Sequence, residues 1–248
     1  MYHFFVEPSQ RQAEQITVLG SDVWHIRNVL RMKPGEQVEI SDGTGMRYFC
    51  VLEEVKSDCV IFRVQDTWAE DRELPVRIVL FQGIPKGDKM ELILQKAVEL
   101  GVYEIVPVVT RRTIVKLDDR KAEKKRERWN AISKAAAKQS GRSLVPNVHE
   151  MLSFSEALDY AGNLDGILIP YEKAGDMQES ARRIEEKLEG KSVGIFIGPE
   201  GGFEEEEVAL AREAGAAAIT LGRRILRTET AGLAILSVLM YHLELKSG

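Results

Sequence analysis

The feature that most constrains the fold is a regular alternation of short apolar runs and amphipathic stretches after Pro75. The amphipathic stretches carry apolar residues at helical spacing, whereas the short runs are typical of buried strands. Short apolar strands between such helices indicate a parallel sheet covered on both faces. We therefore expect an α/β domain over residues 73–248. The predicted strands are residues 76–82, 104–109, 166–169, 193–197 and 217–221.

The first 72 residues follow a different pattern. They predict one helix over residues 21–30 and several short strands separated by turn-forming residues, the strongest turn being SDGTG at 41–45. Repeated short strands of this kind indicate a small β-barrel. We therefore divide the chain into a β-barrel over residues 1–72 and an α/β domain over residues 73–248, with a polar linker near residues 66–75.

Composition excludes several classes of protein. The amino terminus has no signal-peptide pattern, and the most apolar stretch, residues 231–241, is too short to span a bilayer. The two cysteines, Cys50 and Cys59, and the four histidines have no metal-ligand spacing. We therefore expect a cytoplasmic protein without a metal site or a structural disulfide.

Charge is distributed unevenly along the chain. The net charge of −5 divides into −4 for residues 1–72, +6 for residues 73–150 and −7 for residues 151–248. A basic middle third is compatible with an RNA-binding face, and also with one solvated, charged helix over residues 118–138. Charge alone favours the solvated helix.

Three chemically unusual loops follow predicted strands of the α/β domain. Ligands of open parallel sheets lie at the carboxyl ends of the strands, where these loops begin. The loops carry PYE after Ile169, GPEGG after Ile197, and GRRILRTET after Leu221.

The GPEGG loop lacks the lysine and glycine spacing of phosphate-binding loops, and four consecutive glutamates follow it at 204–207. These acids disfavour an anion, so the loop suits a neutral or cationic ligand such as the sulfonium of S-adenosylmethionine. A plain strand–helix turn with acids at the helix N-terminus explains the loop equally well. The segment 221–230, with three arginines among apolar residues, fits no amphipathic face, and there we favour a functional role.

At these residues the sequence resembles the bacterial N3-uridine methyltransferases of small-subunit ribosomal RNA, which belong to the SPOUT superfamily of knotted methyltransferases. IGPEGG at 197–202 and LGRRILRTETA at 221–231 resemble the family signatures. HIRNVLRMKPGE at 25–36, KGDKMELILQKAVELGV at 86–102 and KQSGR at 138–142 extend the resemblance over nearly the whole chain.

The resemblance implies a PUA-like amino-terminal β-barrel, a trefoil-knotted α/β domain, a homodimer and S-adenosylmethionine as cofactor. It also implies that the three loops hold the cofactor, with Ile225 and Leu226 in an apolar pocket for the adenine. The cofactor-binding residues expected on this basis are Ile169, Pro170, Ile197, Gly198, Pro199, Gly201, Leu221, Gly222, Ile225, Leu226 and Thr230.

Methylation at uridine N3 requires loss of a proton, so a base or an anion-stabilising group is needed. Glu229 and Glu200 are the candidate bases, and Arg227 is the candidate for stabilising the anion. The structural alternatives are that Glu229 only holds an arginine and that Glu200 only caps the following helix.

The target base must be unpaired or pulled out of its helix before it reacts, and we expect cations to hold the ribosomal RNA or small subunit that presents it. Three alternatives stay open: a SPOUT enzyme acting on transfer RNA or ribose oxygens, a noncatalytic ribosome-assembly factor, and an ordinary nucleotide-binding enzyme. The cations expected to contact RNA phosphates are Arg27, Arg31, Lys86, Lys89, Arg111, Arg112, Lys138 and Arg142.

Overall fold

The computed structural model describes residues 1–69, 72–114 and 119–247, with only the backbone described at Asp119 and Ser247. The chain forms two compact units. The first contains Met1–Glu73 and Ala137–Val145, and the second contains Leu74–Ala136 and Pro146–Gly248. The segment Ala137–Val145 thus belongs to the first unit, although the sequence pattern placed it in the α/β domain.

The first unit is built on a six-stranded sheet in the order β1-β4-β5-β6-β3-β2. Only β1 and β4 pair in parallel, and the other neighbours are antiparallel. Alternate residues of these strands face a core of Phe4, Ile16, Ile40, Leu52 and Phe62. The strands are β1 (Tyr2–Phe5), β2 (Arg11–Gln12), β3 (Gln15–Leu19), β4 (Gln37–Ser41), β5 (Met46–Val55) and β6 (Cys59–Ala69).

Helical segments and the later chain segment Ala137–Val145 complete this unit. A 3-10 turn spans Pro8–Gln10, and α1 (Ser21–Trp24) continues as a π-helix over His25–Leu30, which confirms the predicted helix at 21–30. The predicted linker begins too early, because β6 continues through Ala69 and pairs with β5 along its whole length. Residues 70 and 71 of that linker lie outside the described residues.

The second unit is a mixed α/β structure around a parallel sheet, as predicted. The strand order is β10-β8-β7-β12-β11-β13, and β9 pairs with β8. All the pairings are parallel. The strands are β7 (Arg77–Gly83), β8 (Glu104–Val109), β9 (Asn147–Val148), β10 (Leu152–Ser153), β11 (Gly166–Pro170), β12 (Ser192–Ile197) and β13 (Ala217–Ile219).

The helices connect these strands. Ser153 and Glu156 form the predicted capping box of α4, with Ser153 N–H donating to Glu156 at 2.8 Å. Residues 220 and 221, predicted as strand, instead begin a loop, and the last helix starts two residues earlier than predicted. The helices are α2 (Lys89–Glu99), α3 (Asp119–Ser140), α4 (Phe154–Ala161), α5 (Met177–Lys187), α6 (Glu205–Glu213) and α7 (Thr228–Ser247).

The burial of the central strand β12 shows that the sheet is covered on both faces. Every residue of β12 is buried. On one face Phe196 stacks against Phe81 of β7 with ring centroids 4.4 Å apart, and both rings belong to the core that α4 and α6 cover. A strand buried on both sides loses its alternation and becomes a continuous apolar run, which is the pattern seen in the sequence.

Candidate active site

Three loops converge at the carboxyl edge of the second unit's sheet. β12, β11 and β13 are neighbours in that order, so the segments that follow them emerge side by side. We name the segment 198–202 the glycine loop and the segment 220–227 the arginine loop. The third segment, 171–176, connects β11 to α5. The loops that the sequence singled out are therefore adjacent in space.

The three loops line two connected chambers. The first chamber, of about 780 Å³, lies between the segment that follows β11 and the arginine loop. The second, of about 370 Å³, lies under the glycine loop and also contains Lys89, Arg112 and Arg227. Six residues line both chambers: Pro170, Tyr171, Glu172, Ile225, Leu226 and Ala231. Volumes of this size accommodate a nucleoside-sized ligand.

The structure places most, but not all, of the predicted cofactor residues on these walls. Ile169 is fully buried in the core, and Thr230 is exposed and lines neither chamber. Ile225, predicted in an apolar pocket, is 89% exposed at the rim. Lining residues from the predicted set are Pro170, Ile197, Gly198, Pro199, Gly201, Leu221, Gly222, Ile225 and Leu226.

The glycine loop is held by close backbone packing. Gly202 N–H donates to the Pro199 carbonyl at 2.8 Å, and Gly202 has a φ of +68°. A Cβ on Gly83, the last residue of β7, would lie 2.6 Å from Pro199 Cδ. The loop therefore depends on a glycine in a neighbouring strand as well as on its own glycines.

A buried hydrogen-bond chain ties the glycine loop to the start of α7. Thr228 Oγ1 donates to the Gly198 carbonyl at 2.6 Å and accepts from Gln82 Nε2 at 2.9 Å. Gln82 and Thr228 are both buried. Sequence reasoning missed this pair, although a glutamine at the end of an otherwise apolar strand is a signal that could have marked it.

The glutamates after the glycine loop do not form the anion-repelling cluster that the sequence predicted. Arg112 makes a two-pronged ion pair with Glu204, at 2.8 and 3.0 Å, and hydrogen bonds from Arg112 hold the pKa of Glu204 below its ordinary value. Glu205 pairs with Lys173, and Glu206 with Arg111.

The fourth glutamate, Glu207, is buried and has a structural role. It forms a capping box with Glu204, and it accepts the Arg111 backbone N–H at 2.9 Å. The cap of α6 is thus supplied by Glu204 and Glu207. Glu200 does not supply it, which removes the capping alternative for Glu200.

Glu200, within the glycine loop, is held by residues at or just before the start of α2. It accepts hydrogen bonds from Lys89 Nζ at 2.9 Å and from the Lys86 backbone N–H at 3.1 Å. Burial acts to raise the pKa of Glu200, but these hydrogen bonds outweigh it and leave the pKa below its ordinary value. Glu200 is therefore a stable carboxylate.

Glu229, on the first turn of α7, lies beside the same lysine. Its Oε2 is 3.6 Å from Lys89 Nζ, and its side chain is 20% exposed. Within the described part of the chain this buried oxygen has no hydrogen-bond partner. The expected arginine partner of Glu229 is replaced by a lysine.

The cations predicted to contact RNA fall into two groups. Arg31 and Lys86 are exposed, without a side-chain hydrogen bond or ion pair inside the described residues, and Arg27 donates to the Ser57 carbonyl at 3.0 Å. The remaining five engage carboxylates. Those pairs are Lys89 with Glu200, Arg111 with Glu206, Arg112 with Glu204, Lys138 with Asp22, and Arg142 with Glu73.

Arg142 in particular has a structural role in the first unit. Its side chain is only 6% exposed and is paired with Glu73. Lys138 also lies over the Phe4 ring at 4.6 Å. The KQSGR segment at 138–142 therefore anchors residues 137–145 within the first unit, and Arg142 is not available to a phosphate.

The cations of the arginine loop differ from those five paired cations in their lack of carboxylate partners among the described residues. Arg223, Arg224 and Arg227 are exposed, and their side chains make no hydrogen bond or ion pair with any part of the chain that the structure describes. Only Arg227 was assigned a role from the sequence. Arg223 and Arg224 were noted in the motif but left without one.

No helix in the described part of the chain is long and apolar enough to cross a membrane. The same residues contain no group of three or more metal-binding side chains placed to hold an ion.

Known proteins resemble this chain over its whole length. A family model for an RNA methyltransferase domain matches residues 72–240, and one for an RNA methyltransferase PUA domain matches residues 18–65. Ribosomal RNA small subunit methyltransferase E of Bacillus subtilis is 40% identical, with 100% of this chain and 99% of the relative covered.

Two solved structures show the same fold with a cofactor. The methyltransferase E of Neisseria gonorrhoeae, bound to S-adenosylmethionine, is 34% identical with a TM-score of 0.85 and covers 98% of both chains. A methyltransferase from Legionella pneumophila, also with bound S-adenosylmethionine, is 32% identical with a TM-score of 0.84 and covers 97% of both. With its PUA-like first unit and its α/β second unit, the chain belongs to the family of ribosomal RNA small subunit methyltransferase E proteins.

Proposed function

We propose that this protein uses S-adenosylmethionine to methylate N3 of a uridine in small-subunit ribosomal RNA. The observation that carries the proposal is the pair of chambers between the three loops, with exposed arginines on their walls and the partly buried Glu229 carboxylate 3.6 Å from Lys89, which lines the second chamber. Relatives that match over the whole chain support the cofactor and the RNA class. An rRNA substrate supports a cytoplasmic location for the reaction.

The walls of the two chambers fit the proposed cofactor. Ile225 and Leu226 offer apolar side chains. The glycines of the glycine loop have no Cβ, so a ligand can approach their backbone groups. When bound, S-adenosylmethionine supplies a methyl group activated by its sulfonium. The protein therefore needs no covalent nucleophile and acts by alignment and proton removal.

Glu229 is the proposed acceptor of the uridine N3 proton. Its buried Oε2 accepts no hydrogen bond among the described residues and lies 3.6 Å from Lys89 Nζ, whereas Glu200 accepts hydrogen bonds from two donors, Lys89 Nζ and the Lys86 backbone N–H. A carboxylate whose lone pairs are already engaged is a weaker proton acceptor. We therefore assign Glu229 as the base and Arg227, which lines the second chamber, as the group that stabilises negative charge on the uracil carbonyls.

RNA contact is proposed for the cations that lack a carboxylate partner. Arg31 and Lys86 remain from the predicted set, and Arg223 and Arg224 join them. Arg27 keeps free donor groups beyond its bond to Ser57. Such phosphate contacts weaken as salt concentration rises.

A homodimer is proposed from one face of α7. Val238, Tyr241 and Leu245 are 51%, 66% and 64% exposed and recur at helical spacing. Exposed apolar faces of this kind usually mark an interface, and a second copy of the chain is the proposed partner. Light scattering on the purified protein tests this, and a monomeric mass would contradict it. The trefoil knot implied by the family resemblance remains a prediction.

The function is tested by incubating unmodified small ribosomal subunits with the protein and S-adenosylmethionine, and then identifying the methylated nucleoside by mass spectrometry. We expect N3-methyluridine. A different modified nucleoside would contradict the N3 assignment, and cofactor binding without methylation of subunits or naked RNA would contradict the substrate class.

The base is tested with Glu229→Gln. We expect turnover to fall by about 100- to 10,000-fold, the usual contribution of a general base, with cofactor affinity within a few-fold of the parent protein. Full turnover in this variant, measured with labelled cofactor, would remove Glu229 as the base.

A further inference from the structure

We propose that Lys89 is a positioning residue of the reaction centre, which holds the Glu229 carboxylate in place while Glu200 anchors the lysine. The inference rests on the proposed function and deepens it. It also replaces the sequence-based expectation that Lys89 contacts an RNA phosphate.

The three groups come from three separate segments of the second unit. Lys89 is the first residue of α2, Glu200 lies in the glycine loop, and Glu229 lies on the first turn of α7. Lys89 Nζ is 2.9 Å from Glu200 Oε1 and 3.6 Å from Glu229 Oε2. One cation therefore bridges two carboxylates that are far apart in sequence.

Glu200 has the properties of an anchor. Besides Lys89 Nζ, it accepts the backbone N–H of Lys86, in the loop that leads into α2. These bonds fix both the lysine and the backbone before it. The hydrogen bond to Glu200 also raises the pKa of Lys89, so the ammonium group stays charged.

Glu229 depends on Lys89 for its electrostatic environment. Among the described residues, Lys89 is the cation within ion-pair distance of Glu229. Two further arginines line the second chamber, but Arg112 is engaged by Glu204, and Arg227 is exposed. Without Lys89, the carboxylates of Glu200 and Glu229 would face the same space without a cation between them.

A phosphate contact by Lys89 is disfavoured by the same geometry. A lysine already in contact with two carboxylates must give up part of that interaction to bind a phosphate. Lys86, three residues earlier, is exposed and has no side-chain partner inside the described residues. The two lysines are therefore a matched pair, one internal to the site and one open to RNA.

The test compares Lys89→Met, Lys89→Arg, Glu200→Gln and Lys86→Met with the parent protein. The readouts are the single-turnover rate of methyl transfer at saturating cofactor, KM for unmodified small subunits across a salt series, and cofactor affinity by calorimetry. The parent protein must methylate the subunits for the comparison to proceed. Failure at that step contradicts the proposed function and not this inference alone.

We expect Lys89→Met to lower the transfer rate by about 10- to 100-fold, the effect of a misplaced catalytic group. KM for the subunits and its salt slope should stay within about twofold of the parent values, because the variant keeps the interactions that bind the substrate equally in the ground state and the transition state. Lys89→Arg should recover most of the rate, and Glu200→Gln should lower it by a smaller factor. Lys86→Met should instead raise KM and reduce the salt slope by about one.

Three results would overturn the inference. The first is a parental transfer rate in Lys89→Met. The second is a rise in KM with a loss of about one unit of salt slope at an unchanged rate, which identifies a phosphate contact. The third is a Lys89→Arg variant as slow as Lys89→Met. If Lys89→Met does not bind cofactor, Glu200→Gln and Lys89→Arg decide the matter by the same readouts.

Discussion

The glycine loop and the arginine loop border the same chambers but are built in opposite ways. The glycine loop is fixed by Thr228, by close packing against Gly83, and by ion pairs on either side of it. The arginine loop exposes three arginines and Ile225, with few internal contacts, such as the Gly222 N–H bond to Thr220 Oγ1 at 3.3 Å. One wall of the site is fixed by internal contacts, and the other is exposed, as the proposed contacts with cofactor and RNA require.

This contrast separates two uses of charge. Around the glycine loop, Arg111, Arg112 and Lys89 pair with acids and shape the site. In the arginine loop, the cations have no carboxylate partner among the described residues, so their donor groups are available to the proposed ligands. Charge composition cannot distinguish the two uses, because an arginine contributes equally to net charge in either.

Among the variants that test this contrast, Gly83→Ala is expected to have the largest effect, because it should disturb the fixed glycine loop. The added Cβ would lie 2.6 Å from Pro199 Cδ and 2.7 Å from its backbone nitrogen, so the glycine loop must shift. We expect the free energy of unfolding to fall by about 3 kcal/mol and cofactor affinity by about 10- to 100-fold.

Gly232→Ala is the matched control, since its Cβ would lie 3.6 Å from Gln82 Oε1, an ordinary contact. Urea unfolding and calorimetry measure both quantities. Parental stability and cofactor affinity in Gly83→Ala would contradict the claim that the glycine loop is rigidly packed.

A smaller effect is expected from Thr228→Val, which removes the hydroxyl that links Gln82 to the Gly198 carbonyl. Because the buried Gln82 amide and the half-buried Gly198 carbonyl would each lose this bond, we expect a loss of about 2 kcal/mol in the free energy of unfolding. Thr230→Val, at an exposed position, should change it by less than about 0.5 kcal/mol. Equal losses in the two variants, measured by urea unfolding, would show that the link contributes nothing specific.

The smallest effects are expected from Arg112→Ala and Arg224→Ala, which should change different properties of the protein. Arg112→Ala removes an exposed ion pair with Glu204, so the free energy of unfolding should fall only slightly. Arg224 has no such partner, so stability should not change, whereas the salt slope of RNA binding should fall by about one. Filter binding over a salt series and urea unfolding provide the two readouts, and identical behaviour would erase the distinction between the loops.

Much of the fold follows from local pattern. The runs at β7, β8, β11 and β12 are nearly continuous and apolar because both faces of the sheet are covered, and the capping box at Ser153 fixes the start of α4. The insertion of Ala137–Val145 into the first unit was not predicted. It depends on long-range pairs such as Arg142 with Glu73, which leave no local periodicity in the sequence.

The candidate site was predicted in part for the same reason. Glycines and arginines in strand–helix loops predicted which loops meet at the carboxyl edge of the sheet. The partner of each charged group could not be predicted, because Lys89, Glu200 and Glu229 are brought together only by the sheet order. The paired state of Arg111 and Arg112 was missed in the same way.

Amide hydrogen exchange with and without S-adenosylmethionine tests the division between the two loops most directly. The account predicts that the Gly202 amide, which donates to the Pro199 carbonyl, is already protected in the free protein, and that the amides of residues 223–227 in the arginine loop exchange rapidly until the cofactor is added. Equal, rapid exchange in both loops of the free protein, or an arginine loop that cofactor leaves unprotected, would contradict it.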